Sequence, residues 1–172
     1  MIESTVMNVI PPASYPHVER LRRVSIFRHL SDGQLAQLGR GATLKRWYAG
    51  AIVASEQEAP SGLYVLTQGR AKVVLFGENG REMTLALLSP GDFYGETSLL
   101  EEQQLNTNVV AVEDLTLLVI DKDAFLRVLQ QSPQVSLRLL REMATRLRRA
   151  DDLIGNLALR DVAGLYELLC EQ

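Results

Sequence analysis

Between Ala42 and Asp121 the chain alternates short apolar or half-apolar runs with turn signals. The runs are TLKRWY, AIVAS, GLYVL, AKVVLF, MTLALL, NVVAV and LTLLVI. The turns fall at Ala49–Gly50, Pro60–Gly62, Gln68–Gly69, Gly77–Gly80, Pro90–Gly91 and Glu113–Asp114. Many short strands at regular spacing, with no long helix between them, predict an antiparallel sandwich or barrel. A parallel α/β sheet needs crossover helices, and none is available here. Within Gly77–Gly80, Asn79–Gly80 is the strongest hairpin signal, because Asn-Gly supplies the positive φ angles of a tight turn.

The flanks follow a helical period. Pro11, Pro12 and Pro16 keep the start irregular. HVERLRRV then predicts one or two helical turns. Ser31 with Gln34 three residues on matches a capping box, so a short helix through Leu35 and Leu38 should follow, ended by Gly39 and Gly41. After the strands, DKDAFLRVLQQ predicts a helix closed by Ser132–Pro133, and a long helix follows from about Gln134 to Leu159. In it Leu140, Leu147 and Ile154 fall seven apart, as do Met143, Ala150 and Leu157 on the adjoining line. Together they form an a/d seam. Leu139 and Leu153 lie beside it, placed to turn back on the sandwich. A single amphipathic helix more often lies on its own domain's core. Here Arg138, Arg141, Arg146, Arg148 and Arg149 surround the stripe as a solvated face, and a two-helix homodimer seam is the expectation.

Composition narrows the function classes. The 172 residues are 47% hydrophobic, enough for a real core, and the formal net charge of −3 gives no hint of nucleic-acid binding. The one cysteine, Cys170, cannot form an internal disulfide. The start, MIESTVMNVIPPASYP, lacks a basic n-region and an apolar h-region, and no apolar stretch approaches the roughly 18 residues of a membrane span. A soluble, cytoplasmic protein with no membrane association is expected. His17 and His29 both precede the strands. Neither a jelly-roll metal site, which needs two or three strand histidines, nor a Ser-His-acid set can then form on the roll. No catalytic residue, no metal and no enzymatic activity are expected.

The stretch GETSLLEEQQLNTN, Gly95 to Asn108, carries the candidate chemistry. A glycine, an acid, a short apolar run and a polar loop suggest an anion-holding turn. Such a turn usually includes a fixed cation, yet this one contains neither arginine nor lysine. Arg70, Lys72 and Arg81 are the cations that other strands could lend it. The plain alternatives are that Glu96 is a dipole partner at a helix start, and that Asn106, Thr107 and Asn108 cap their own backbone.

The order of three motifs, GR-KV (Gly69 onward), PGDFYGETSLL and a long helix ending IGNLALRDVAG, resembles the cyclic-nucleotide-binding domains of bacterial CRP/FNR-type transcription regulators. The resemblance runs from about Val18 to Cys170. It implies a mainly β fold: an antiparallel jelly roll with flanking helices and a long C-terminal dimerisation helix. The implied organisation is an N-terminal arm at 1–17, the roll with its short helices at 18–132, the dimer helix at 133–160, and at 161–172 a hinge and the start of a DNA-binding domain missing from this chain. DNA and RNA polymerase would be reached only through that missing domain.

In the family's cassette the glutamate accepts a ribose hydroxyl, and a proline-arginine-serine-alanine run clamps the cyclic phosphate. Gly95 and Glu96 match the first pair, and the turn from Thr97 matches the short helix. The proline position is then Gln104, the arginine position Leu105, the serine position Asn106 and the alanine position Thr107. A Thr-Ser pair that contacts adenine in the family becomes Ala150–Asp151. The resemblance thus implies a ligand-sensing and dimerisation module with a degenerate phosphate site, where a cyclic nucleotide is disfavoured. The alternative is a dimeric adaptor with no small-molecule ligand.

Overall fold

A computed structural model describes residues 16–56, 58–77 and 79–170, with side chains from 17 to 156. Residues 1–15 of the N-terminal arm and the side chain of Leu157 lie outside the described residues, while Pro16 and His17 belong to the first helix. The chain divides into two compact units at Ser136/Leu137.

The first unit opens with helix α1 (Pro16–Arg22), a 3-10 turn (Ser25–Phe27) and helix α2 (Asp32–Arg40). The capping box forms: Ser31 Oγ accepts from the Gln34 amide at 3.4 Å, and Gln34 Oε1 accepts from the Ser31 amide at 2.9 Å. Gly41 is the C-cap. Gly39, expected to end the helix, lies inside it instead. A Cβ there would sit 3.2 Å from His17 Cβ, so the glycine lets α1 close on α2.

His17 is 8% exposed, and its Nδ1 makes no hydrogen bond. Burial, with the charge of Arg20 second, holds its pKa below the ordinary 6.5. A histidine with a depressed folded pKa contributes fully above pH 6.5. Below it, the unfolded chain takes up a proton that the folded chain refuses, and stability falls. We expect the melting temperature to drop between about pH 7 and pH 5, and to drop less in His17→Leu. Parallel pH profiles for the two proteins would remove His17 as the cause.

Eight strands follow: β1 (Ala42–Trp47), β2 (Ile52–Ala54), β3 (Gly62–Gln68), β4 (Ala71–Phe76), β5 (Glu82–Leu88), β6 (Phe93–Tyr94), β7 (Asn108–Ala111) and β8 (Leu115–Asp121). They pair antiparallel in two four-stranded sheets, β1-β8-β3-β6 and β2-β7-β4-β5. Seven of the strands coincide with the apolar runs. β6, two residues long, carries too little pattern to stand out. Side chains alternate across each strand, so the inward set fills the gap between sheets. Trp47, Leu66, Val73, Val109, Leu115 and Leu117 form part of that core. At Gly62 β3 runs too close to its neighbour β8 for a side chain, because a Cβ there would lie 2.1 Å from the Ile120 carbonyl oxygen.

The β4–β5 hairpin turns at the expected place. The Gly77 amide bonds to the Arg81 carbonyl at 2.8 Å. Only Gly80 of the Asn-Gly pair has positive φ, +73°. The Asn79 side chain instead accepts from the Arg81 amide at 3.2 Å. A β-bulge between Val73 and Val74 leaves Leu85 without a cross-strand partner.

Helix α3 (Glu96–Glu101) lies between β6 and β7, and α4 (Lys122–Gln131) follows β8, capped by Asp121 Oδ1. The second unit is made by helix α5, which begins at Pro133 and runs unbroken to Cys170. It passes Gly155 and the 160/161 boundary that the sequence suggested for a hinge. No proline follows Pro133, so nothing in the local chemistry forces a break.

Candidate ligand site

The cassette forms, and its geometry starts at Gly95. This residue has φ +93°, a left-handed conformation that glycine adopts at little cost. An added Cβ would meet Tyr64 Cδ2 at 3.2 Å and the Gly62 carbonyl oxygen at 3.4 Å. The turn thus packs hard on β3 and hands the chain straight into α3. Glu96, the first residue of α3, is 3% exposed, while Thr97 faces solvent. At the other end Glu102 has φ +55°, the one non-glycine residue with positive φ among those described.

The loop after α3 decides what the site holds. Its backbone is fixed by Ser98 Oγ donating to the Gln104 carbonyl at 3.3 Å and by the Leu105 amide donating to the Glu58 carbonyl at 3.0 Å. Leu105, at the arginine position, is 4% exposed and packs into the core between the sheets. It is core filler rather than a loop side chain that merely lacks a charge. Asn106, at the serine position, is exposed. Thr107 is buried, and its Oγ1 lies 2.5 Å from Tyr94 Oη. Asn108 is 3% exposed and accepts from the Glu56 amide through Oδ1 at 3.0 Å. Thr107 and Asn108 therefore bond across the roll to other segments instead of capping their own backbone.

Of the three cations that other strands could lend, two are paired elsewhere, and Arg81 is exposed. Arg70 pairs with Glu113 at 3.3 Å and Lys72 with Glu82 at 2.5 Å. Lys122 pairs at 3.1 Å with Glu102, one of two acids at the end of α3. One small gap between the sheets, about 10 Å³, is lined by Val53, Ala54, Leu66, Ala71, Val109 and Leu117 among others. That is room for about one water molecule. A cyclic nucleotide phosphate calls for a fixed cation, and the stretch from Gly95 to Asn108 contains no arginine or lysine.

In the second unit, Ala150 and Asp151 are both exposed on α5. On the expected seam Leu140, Leu147 and Ile154 are 65%, 63% and 64% exposed, and Met143 is half-buried. Among the described residues there is no cluster of three metal-ligating side chains, and no helix long and apolar enough to cross a membrane. Tyr94 was not visible as a site residue in the sequence. Its partner Thr107 lies 13 positions away, and no local pattern links the two.

The two four-stranded sheets, with a glycine-glutamate turn leading into a short helix, define an antiparallel β-roll domain. The chain belongs to the cyclic nucleotide-binding domain family, whose profile matches residues 44–132. It is 28% identical over 146 residues to the CRP-like cAMP-activated global transcriptional regulator of Mycobacterium tuberculosis, covering 85% of this chain and 65% of that protein. It is 39% identical over 89 residues to the cyclic AMP receptor protein of Thermus thermophilus, covering 52% of this chain and 41% of that one. The chain thus spans between about two-fifths and two-thirds of these relatives' lengths.

Among solved structures, it is similar to the sensor domain of the transcriptional regulator DNR from Pseudomonas aeruginosa, with TM-score 0.69 and 26% identity over 79% of this chain and 91% of that one. The Thermus thermophilus catabolite activator protein gives TM-score 0.67 at 29% identity, over 77% and 62%. The Mycobacterium tuberculosis relative and DNR are both transcriptional regulators.

Proposed function

We propose that this chain is the sensing and dimerisation module of a CRP/FNR-type transcription regulator, with a phosphate site that no longer takes a cyclic nucleotide. The observation that carries this is Leu105, buried in the roll's core where the family's clamp places a cation. A charge-assisted bond to an anion is worth about 1.5–3 kcal/mol, and a buried anion without one costs more. Asn106 faces solvent in place of the serine. Ala150 offers no hydrogen bond, and Asp151 has the wrong sign for contacts to a nucleotide. The bare apolar stripe on α5 supports a homodimer.

The burial of Leu105 also favours a second reading, a dimeric adaptor domain with no small-molecule ligand. A thermal-shift screen with cyclic AMP, cyclic GMP, cyclic di-GMP, 2-oxoglutarate and haem separates the two, since a ligand that binds only the folded state raises its melting point. A shift with a non-nucleotide supports a sensor, and silence throughout supports the adaptor. A shift with cyclic AMP at micromolar concentration sinks both.

A further inference from the structure

Helix α1 has seven residues, and a helix that short does not stand alone in water. It is held by its packing on α2. The two helices come closest where His17 crosses Gly39. A Cβ added to Gly39 would lie 3.2 Å from His17 Cβ and 3.6 Å from Leu21 Cδ1. Leu21 on α1 and Leu35 and Leu38 on α2 are fully buried. His17 is buried with them, and no hydrogen-bonding group among the described residues reaches its Nδ1.

The neutral ring tolerates that place. With its proton on Nε2 it presents only a lone pair at Nδ1. An imidazolium carries hydrogens on both nitrogens. The one on Nδ1 would then be a buried, charged donor without an acceptor, which costs more than a neutral orphan. The charged neighbours do not offset this. α1 carries Glu19, Arg20 and Arg22, α2 carries Asp32 and Arg40, and the 3-10 turn Ser25–Phe27 carries none. Glu19 and Asp32 both pair with Arg22. Arg20 acts on His17 by repulsion.

We infer that α1 is an acid-released latch: when His17 takes up a proton, α1 leaves α2 while the roll stays folded. The eight strands pair only with one another, so their ladders survive the release. Segments with few hydrogen bonds of their own open below the global unfolding free energy. Release uncovers Leu21 and the Gly39 face of α2. The loss of stability expected in acid is thereby confined first to one segment.

The test is hydrogen exchange, read residue by residue at pH 7.5 and 5.5, on the 172-residue chain and on His17→Leu. The amides of Arg23 and Val24 report on α1, since they bond back to the Arg20 and Leu21 carbonyls at 3.2 and 3.1 Å. After correction for intrinsic exchange rates, their opening constants in the wild type should rise roughly five- to tenfold between the two pH values. They should stay well above those of Val65 in β3 and Leu118 in β8. In His17→Leu they should be flat. Opening constants that ignore pH, or that rise equally in His17→Leu, would overturn the latch. So would α1 amides that open only together with Val65 and Leu118, since acid then unfolds the whole unit. A nuclear magnetic resonance titration of the wild type needs no variant. The His17 ring should titrate below its ordinary 6.5, with the Arg23 and Val24 amide signals sharing its midpoint. An ordinary midpoint, or amide signals that do not follow the ring, would also overturn the inference.

Discussion

Leu105→Arg should destabilise the roll by about 3–5 kcal/mol, the range for an uncompensated buried charge, and lower its melting temperature by about 10 °C. Leu105 is 4% exposed in the core formed with Trp47, Leu66, Val109 and Leu117. A guanidinium there loses its water inside a cluster of mainly apolar side chains. Calorimetry completes the test. Cyclic AMP should give no heat with the wild type below about millimolar. Three lost polar contacts, each worth about 1 kcal/mol or more, weaken a micromolar site by roughly a thousandfold at 1.4 kcal/mol per decade. In Leu105→Arg/Asn106→Ser an anion would pair with the buried cation. Cyclic AMP should therefore raise the melting temperature of that double variant and leave the wild type's unchanged. Micromolar binding by the wild type would defeat the prediction. So would a Leu105→Arg protein as stable as its parent, since that places residue 105 in solvent.

How much of this could be seen in the sequence depended on the range of each interaction. The strands were legible because their signal is local: AKVVLF and MTLALL alternate, and Gly77–Gly80 breaks them. The capping box was legible for the same reason, with Ser31 and Gln34 three residues apart. The turn into α3 was located by Gly95 and Glu96, and counting on from them set Leu105 against the arginine of the family resemblance. Where Leu105 points did not follow. A lone leucine in EEQQLNTN has no periodicity around it, and its burial is set by Glu58, 47 positions earlier, receiving its amide. The Tyr94–Thr107 and Glu56–Asn108 bonds are likewise products of sheet topology. β6 failed for the opposite reason, being too short for any period to register. Helix α5 runs on past Leu159, where the sequence reading ended it, because the residues that follow include no proline to stop it.

Leu147→Asp should abolish the dimer and leave the protomer folded. Leu147 is 63% exposed on α5, so aspartate there removes little packing within one chain, and circular dichroism should change little. In the dimer the position lies at the middle of the stripe, between Leu140 and Ile154. Two-fold symmetry brings the two copies of a central a position together, so each substitution places two carboxylates in one apolar seam. An uncompensated buried charge costs about 3–5 kcal/mol, and like charges cannot pair with each other. At 1.4 kcal/mol per decade the dissociation constant should weaken by at least about a hundredfold. Leu147→Ala provides the scale: it removes apolar area without charge and should weaken the dimer by about 2–3 kcal/mol, using the lower half of the large-to-small range. Arg141→Ala, on the solvated face of the helix, should leave the sedimentation profile unchanged. If Leu147→Asp sediments as the wild type does, the exposed line of Leu140, Leu147 and Ile154 is not the seam.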